Sequence, residues 1–240
     1  MDIFEREEML IGKEAVKGLS RKKVALFGVG GVGAVVGEIL ARSGVGTIAV
    51  VDSDRVNTTN INRQIIALHT TVGRLKTEVL EERLKDINPK MNVRRFDMFY
   101  DKDSCDEIDL SKFDYIVDAI DTVTSKILLI KNAKEANVPI ISSMGTGNKL
   151  GINFEVADIY QTSVCPLARV MRKLLKDEGI NSLKVVYSKE VPQLPKEEIT
   201  ENGRHIPASI AFAPWAAAIT IAREAVLDLM KTEPTYKVIK

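Results

Sequence analysis

"VALFGVGGVGAVVGEILARSGVGTIAVVDSD" occupies residues 24–54, and its reading decides the fold. It opens on an apolar run. Gly28-Val29-Gly30-Gly31-Val32-Gly33 follows in the pattern G-x-G-x-x-G, and a helical periodicity then runs to Arg42. Glycines so placed permit a tight strand-to-helix turn and let backbone N–H groups approach an anion at the helix start. A second apolar run ends at Asp52, nineteen residues after Gly33. A carboxylate there accepts hydrogen bonds from a ribose. Strand, turn, helix and acid together predict a nucleotide site rather than an empty turn. They leave open whose phosphates it takes, those of NAD or of ATP.

Outward from this unit the chain alternates. Short buried strands are expected at 23–28, 47–51, 93–96, 115–119 and 139–142, separated by helical patterns at 32–42, 75–87, 104–108 and 123–136. Such alternation predicts an α/β, Rossmann-like, mostly parallel sheet with helices on both faces. Residues 5–18 read as one N-terminal helix. After Met144 the rhythm changes. Strands at 152–157 and 184–187 flank an amphipathic helix at 166–178, with Leu167, Val170, Met171 and Leu174 on its apolar face. An antiparallel extension of the sheet is expected here. Residues 190–207 carry several prolines and many charges and read as a long mobile loop. Pro214 then opens an apolar helix reaching Met230. The expectation is one domain over 1–240, with a nucleotide-binding half at 23–147 and a C-terminal half at 148–240.

Composition sets limits. The net charge is +1, so any nucleic-acid site must be a local patch. Two cysteines far apart exclude a disulfide framework and a four-cysteine zinc site. The opening MDIFEREEML has no apolar signal core, and the longest apolar run, 208–222, is too short to span a bilayer. These features predict a cytoplasmic protein that does not enter the membrane.

The residues beyond Asp52 bear on the choice of nucleotide. Arg63 in "NINRQ" and Lys76 in "VGRLKTE" follow the ribose-binding strand and must fold back towards it. A triphosphate brings about two more negative charges than a dinucleotide, and fixed cations answer them. Asp121 in "DAIDT" follows the fourth strand at the carboxyl end of the sheet. A carboxylate beside phosphates needs an intervening cation, and Mg²⁺ supplies one. Each of these charges alone reads as ordinary surface. Together on one side of a sheet they favour ATP.

GVGGVG, VDSDRV, NINRQ, TVGRLK and DAIDT, in this order, resemble the ubiquitin-activating-enzyme superfamily, whose small bacterial members adenylate the carboxylate of sulfur-carrier proteins. The resemblance implies that Gly28, Gly30, Gly31 and Gly33 form the nucleotide turn and that Asp52 holds the ribose. It further implies that Asn60, Arg63 and Lys76 hold phosphates, that Asp121 holds Mg²⁺, and that Arg6 reaches into a partner subunit's ATP site in a homodimer. A solvated helix charge is the plainer reading of Arg6. The paired C-x-x-C motifs of the sulfur-carrier activators are absent. The stretches "CPLARVMRKLLKDEGI", "KVVYSKEVP" and "PASIAFAPWAAAITIAREAVLDL" instead are similar to the branch that dehydrates threonylcarbamoyladenosine in tRNA.

That branch implies ATP-dependent cyclisation of the threonylcarbamoyl side chain beside the anticodon, with a tRNA partner and, as a further expected partner, a cysteine desulfurase and sulfur-acceptor system. The alternative is adenylation of a ubiquitin-like sulfur carrier. A silent ATP-binding scaffold and an NAD-dependent oxidoreductase are further readings. Arg169, Arg172, Lys173 and Lys176 fall at i, i+3, i+4 and i+7 of one helix, a cationic stripe that would suit tRNA phosphates or simply face solvent. Cys165 precedes a helix start that favours a thiolate, yet cyclisation needs no protein nucleophile, and a buried or incidental cysteine is the expectation. Cys105, His69 and His205 read as non-catalytic.

Overall fold

The structure, a computed structural model, describes residues 3–197, 200–201, 204–205 and 207–231. In chain order the elements are α1 (Glu5–Ile11), α2 (Lys13–Leu19), β1 (Lys23–Phe27), α3 (Gly33–Arg42), β2 (Thr47–Val51), α4 (Lys76–Ile87), β3 (Asn92–Phe96), β4 (Tyr115–Asp118), α5 (Val123–Glu135) and β5 (Ile140–Ser143). They continue with β6 (Glu155–Asp158), α6 (Pro166–Asp177), β7 (Lys184–Tyr187), the short pair β8 (Thr200–Glu201) and β9 (Arg204–His205), and α7 (Phe212–Lys231).

Seven strands form one sheet in the order β3-β2-β1-β4-β5-β7-β6. All neighbours are parallel except β6, which runs antiparallel to β7 at the edge. The mostly parallel sheet with an antiparallel extension is therefore present. The two-residue period of the strands sorts their side chains into two cores. Val24, Leu26, Ile48, Val50 and Val117 face α3, α4 and α7. Ala25, Phe27, Ala49, Val51 and Ile116 face α5 and α6. Both sides of the central strands are thus apolar, as their unbroken hydrophobic runs require. Chain order reverses at β1, between β2 and β4, which opens a crevice beyond the strands' carboxyl ends.

Several expected elements differ in detail. The single N-terminal helix is two. Gly12, with φ 87° and ψ 151°, ends α1 by donating its N–H to the Glu8 carbonyl, and the chain restarts as α2. The weak helix at 104–108 is a single 3-10 turn, Cys105–Glu107. The strand expected at 152–157 is β6, shifted towards the C-terminus. On α6 the buried stripe is Ala168, Met171 and Leu175, while Val170 is exposed. The buried positions follow i, i+3, i+7, and the aliphatic residues between them fall on the flank. Pro214 sits in the first turn of α7, where its missing N–H costs no helical bond. Within the expected mobile loop, residues 198–199, 202–203 and 206 lie outside the described residues.

Candidate active site

A cavity of about 500 Å³ opens at the carboxyl ends of β1, β2 and β4. The glycine turn forms its floor, with Gly28, Gly30 and Gly31 among the lining residues. Gly28 has φ +88°, and a Cβ there would come within 2.5 Å of the Ala119 carbonyl oxygen. A Cβ on Gly33 would meet the Gly28 carbonyl oxygen at 1.8 Å. These two glycines are needed to close the turn. Gly33 itself lies beneath the cavity and does not line it. Gly30 differs, since nothing lies within 4 Å of the position its Cβ would take. Its lack of a side chain leaves open space beside the head of α3, where the first N–H groups have no carbonyl partner within the helix.

Asp52 immediately follows β2 and braces this turn. Its Oδ2 accepts from the N–H of Val29 at 2.6 Å and its Oδ1 from the N–H of Asp54 at 2.8 Å. Each oxygen keeps a lone pair for a ribose hydroxyl. Burial pushes the Asp52 carboxyl above its ordinary pKa, against the opposing pull of Lys76 and of these two N–H groups.

Arg63 and Lys76 both reach the cavity wall. The Arg63 guanidinium donates to the Thr59 carbonyl at 3.0 Å and to Asn62 Oδ1 at 2.9 Å. Its main chain is held by the Trp215 Nε1–H, which donates to the Arg63 carbonyl at 2.8 Å. Lys76 is the first residue of α4, where a cation opposes the helix dipole. It is buried, and its ammonium pairs with Asp54 at 2.7 Å. Sequence reasoning did not anticipate Asp54 as its partner. Asp121 projects from the loop between β4 and α5, exposed at the cavity edge, where Thr122 Oγ1 donates to its Oδ1 at 3.3 Å. Met98 and Phe99, beyond β3, add an apolar wall near Asp52.

Asn60 and Arg6 stand apart. The Asn60 side chain accepts from the Asn57 N–H in a capping box, and its carbonyl accepts from the N–H groups of Arg63 and Gln64. It shapes the turn that presents Arg63 and does not itself line the cavity. Arg6 is exposed on α1, outside the lining residues. Cys165 is buried in the core against α6. Of the cationic stripe, Arg169, Lys173 and Lys176 are exposed, but Arg172 is half-buried and donates to the Thr162 carbonyl at 3.0 Å and to its hydroxyl.

A buried charge pair lies below the cavity, joining Asp118 of DAIDT to Lys126, which no motif marks. Lys126 on α5 and Asp118 at the end of β4 are both fully buried, with Nζ 2.8 Å from Oδ2. The Lys126 ammonium also donates to the carbonyls of Ile120 at 3.2 Å and Ser143 at 3.0 Å.

As a cation site, the cavity offers the Asp121 carboxylate and no ready-made cage. Among the described residues no group of three or more His, Cys, Asp or Glu could hold a metal. One carboxylate with the remaining positions left to phosphates and water suits Mg²⁺, which keeps part of its hydration and binds with nucleotide oxygens. Among the described residues no helix is long and apolar enough to cross a membrane.

The chain as a whole has parallels among known proteins. The chain is 40% identical over 240 residues to the tRNA threonylcarbamoyladenosine dehydratase of Bacillus subtilis, covering 95% of this chain and 94% of that one. The crystal structure of E. coli tRNA N6-threonylcarbamoyladenosine dehydratase in complex with ATP superimposes with a TM-score of 0.83 at 30% identity, over 95% of this chain and 93% of that one. The AMP complex of the same enzyme gives 0.85 over 93% and 92%. Residues 4–227 match the ThiF family. The family match spans residues 4–227, nearly the whole chain, and so takes in both the glycine turn and the C-terminal helix α7: the chain belongs to the ThiF family.

Proposed function

We propose that this protein is an ATP-dependent tRNA threonylcarbamoyladenosine dehydratase that adenylates the side-chain carboxylate and so drives ring closure. One observation carries the reading: Arg63, Lys76 and Asp121 meet the glycine turn and Asp52 in a single cavity. A dinucleotide would need neither the added cations nor the second carboxylate.

Asp52 takes the ribose hydroxyls. The N–H groups at the turn, with Gly30 leaving room, take phosphate oxygens. Arg63 and Lys76 face the triphosphate, and Asn60 supports Arg63 through their shared turn. The anion draws Lys76 away from Asp54, the more exposed member of that pair. Asp121 would hold Mg²⁺, which would disperse charge on the pyrophosphate leaving group. The substrate carboxylate, with an ordinary pKa of roughly 3.5–4, is already ionised at neutral pH and needs no general base. Its oxygen bonds to the α-phosphorus as the bond to pyrophosphate breaks. A nitrogen of the same side chain then attacks the activated carbonyl and expels AMP, with net loss of one water from the nucleoside. No protein nucleophile takes part, in keeping with a buried Cys165.

The working unit is residues 1–240 as a single adenylating domain, paired in a cytoplasmic homodimer. The dimer reading is supported by α1, which buries none of its residues and exposes Met9 and Leu10 at 83% and 84%. Arg6 on that helix then completes the partner's site. Arg169, Lys173 and Lys176 contact tRNA phosphates, with Arg172 contributing less because it is tied to Thr162. A sulfur-transfer system is a further partner in the cell.

The test is incubation with ATP, Mg²⁺ and threonylcarbamoylated tRNA, followed by mass spectrometry of the nucleosides. Loss of one water from the modified nucleoside is expected. An unchanged nucleoside together with adenylation of a Gly-Gly-ended carrier protein would transfer the assignment to sulfur-carrier activation.

A further inference from the structure

Lys126 and Asp118 play no part in the chemistry above, yet they lie directly beneath it. Asp118 Oδ1 accepts from the Ile120 N–H at 3.1 Å. Its Oδ2 accepts from Ser142 Oγ at 2.5 Å and pairs with Lys126. The Lys126 ammonium in turn donates to the Ile120 carbonyl. Ile120 is therefore tied at both its N–H and its carbonyl, the first by the carboxylate and the second by the ammonium. That carbonyl belongs to the same peptide plane as the Asp121 N–H. The second carbonyl on Lys126, that of Ser143, and the hydroxyl of Ser142 belong to β5, so the anchor is fixed to the neighbouring strand.

We propose that Lys126 is a positioning residue: held by Asp118 and by the end of β5, its ammonium pins the Ile120–Asp121 peptide and so sets how the Asp121 carboxylate enters the cavity. The inference rests on the reading of Asp121 as a working carboxylate of that cavity. A buried ion pair adds little to stability over an apolar pair of similar volume, because desolvation offsets most of the attraction. Its physical effect is directional. With the ammonium gone, the Ile120 carbonyl loses its donor, the Asp118 charge stands alone, and the turn reorganises around whatever donors it finds.

Lys126→Met leaves an isolated buried carboxylate and can fail to fold, so Asp118→Asn/Lys126→Met, which removes both charges, is measured beside it. Amide hydrogen exchange over residues 119–123 is followed together with ATP–pyrophosphate exchange driven by the modified tRNA. In the double variant the expected result is exchange roughly tenfold faster over that segment, with the sheet still protected. The kcat should fall about a hundredfold with the KM for ATP changed less than about threefold, the pattern of a group misplaced in the transition state. Wild-type exchange and kcat in the folded double variant overturn the proposal. Loss of protection across the whole sheet overturns it too, since Lys126 would then merely support the fold. Asp121→Ala separates the two claims. Full activity in that variant removes the role given to Asp121, while the exchange of residues 119–123 still decides whether Lys126 orders the turn.

Discussion

Gly28 and Gly30 sit two residues apart and answer to different demands. Gly28 is fixed by a positive φ and by the Ala119 carbonyl, so Gly28→Ala should destabilise the fold by about 2 kcal/mol or more. Gly30→Ala should leave the melting temperature within about 2 °C of wild type, because its Cβ meets nothing within 4 Å, and should weaken ATP binding by roughly tenfold or more, because the proposal puts phosphate in that space. Thermal denaturation and calorimetry separate the two. Asp52 adds a pH signature. Burial raises its pKa above 3.8, so its proton is held more tightly in the folded chain than in the unfolded one. Its stabilising contribution is therefore full below 3.8 and is lost as pH rises through the folded value. The stability of wild type relative to Asp52→Asn should fall over that rise. ATP affinity should climb over the same interval, since ribose donors favour the ionised carboxylate, and Asp52→Asn should cost roughly tenfold or more in that affinity at neutral pH. The motif residues are legible in sequence because each has a local signature: a glycine spacing, an acid at a strand end, a charge after a turn. Lys126 has none. Its neighbours on α5 include four successive aliphatics, and only the fold, which brings Asp118, the Ile120 carbonyl and the Ser143 carbonyl of β5 around it, shows what its ammonium binds.

At the scale of elements, the central strands and their flanking helices can be read from the sequence because hydrophobic runs of fixed length alternate with a 3.6-residue period. The edges are harder. One glycine, Gly12, divides the N-terminal helix in a manner composition does not announce. The buried stripe of α6 is shifted by one residue from the apolar pattern, because Ala168 packs inward and Val170 is left at the surface. This shift also takes Arg172 out of the cationic stripe and against Thr162. Lys173→Gln/Lys176→Gln should therefore weaken tRNA binding at low salt and lower the slope of log affinity against log salt by about two, with ATP affinity unchanged. Arg172→Gln should act mainly on stability, lowering the melting temperature with a smaller change in that slope. Filter binding across a salt series, with thermal melts, reads both.

For the whole molecule, the composite site proposed above draws on an α1 that exposes Met9 and Leu10 and on an Arg6 that does not line its own chain's cavity. Mixing inactive Arg6→Ala and Asp121→Ala proteins under exchange should restore on the order of a quarter of wild-type activity, since each mixed dimer rebuilds one intact site. No recovery on mixing would contradict the shared site. The central claim is that the cavity turns a carboxylate into a mixed anhydride with AMP, and oxygen tracing tests it most directly. Modified tRNA carrying ¹⁸O in the threonyl carboxylate is turned over once, and the released nucleotide is weighed. AMP bearing one ¹⁸O is the predicted product, because the attacking oxygen leaves on the α-phosphorus. Label in inorganic phosphate with release of ADP, or no label in AMP after ring closure, would contradict it.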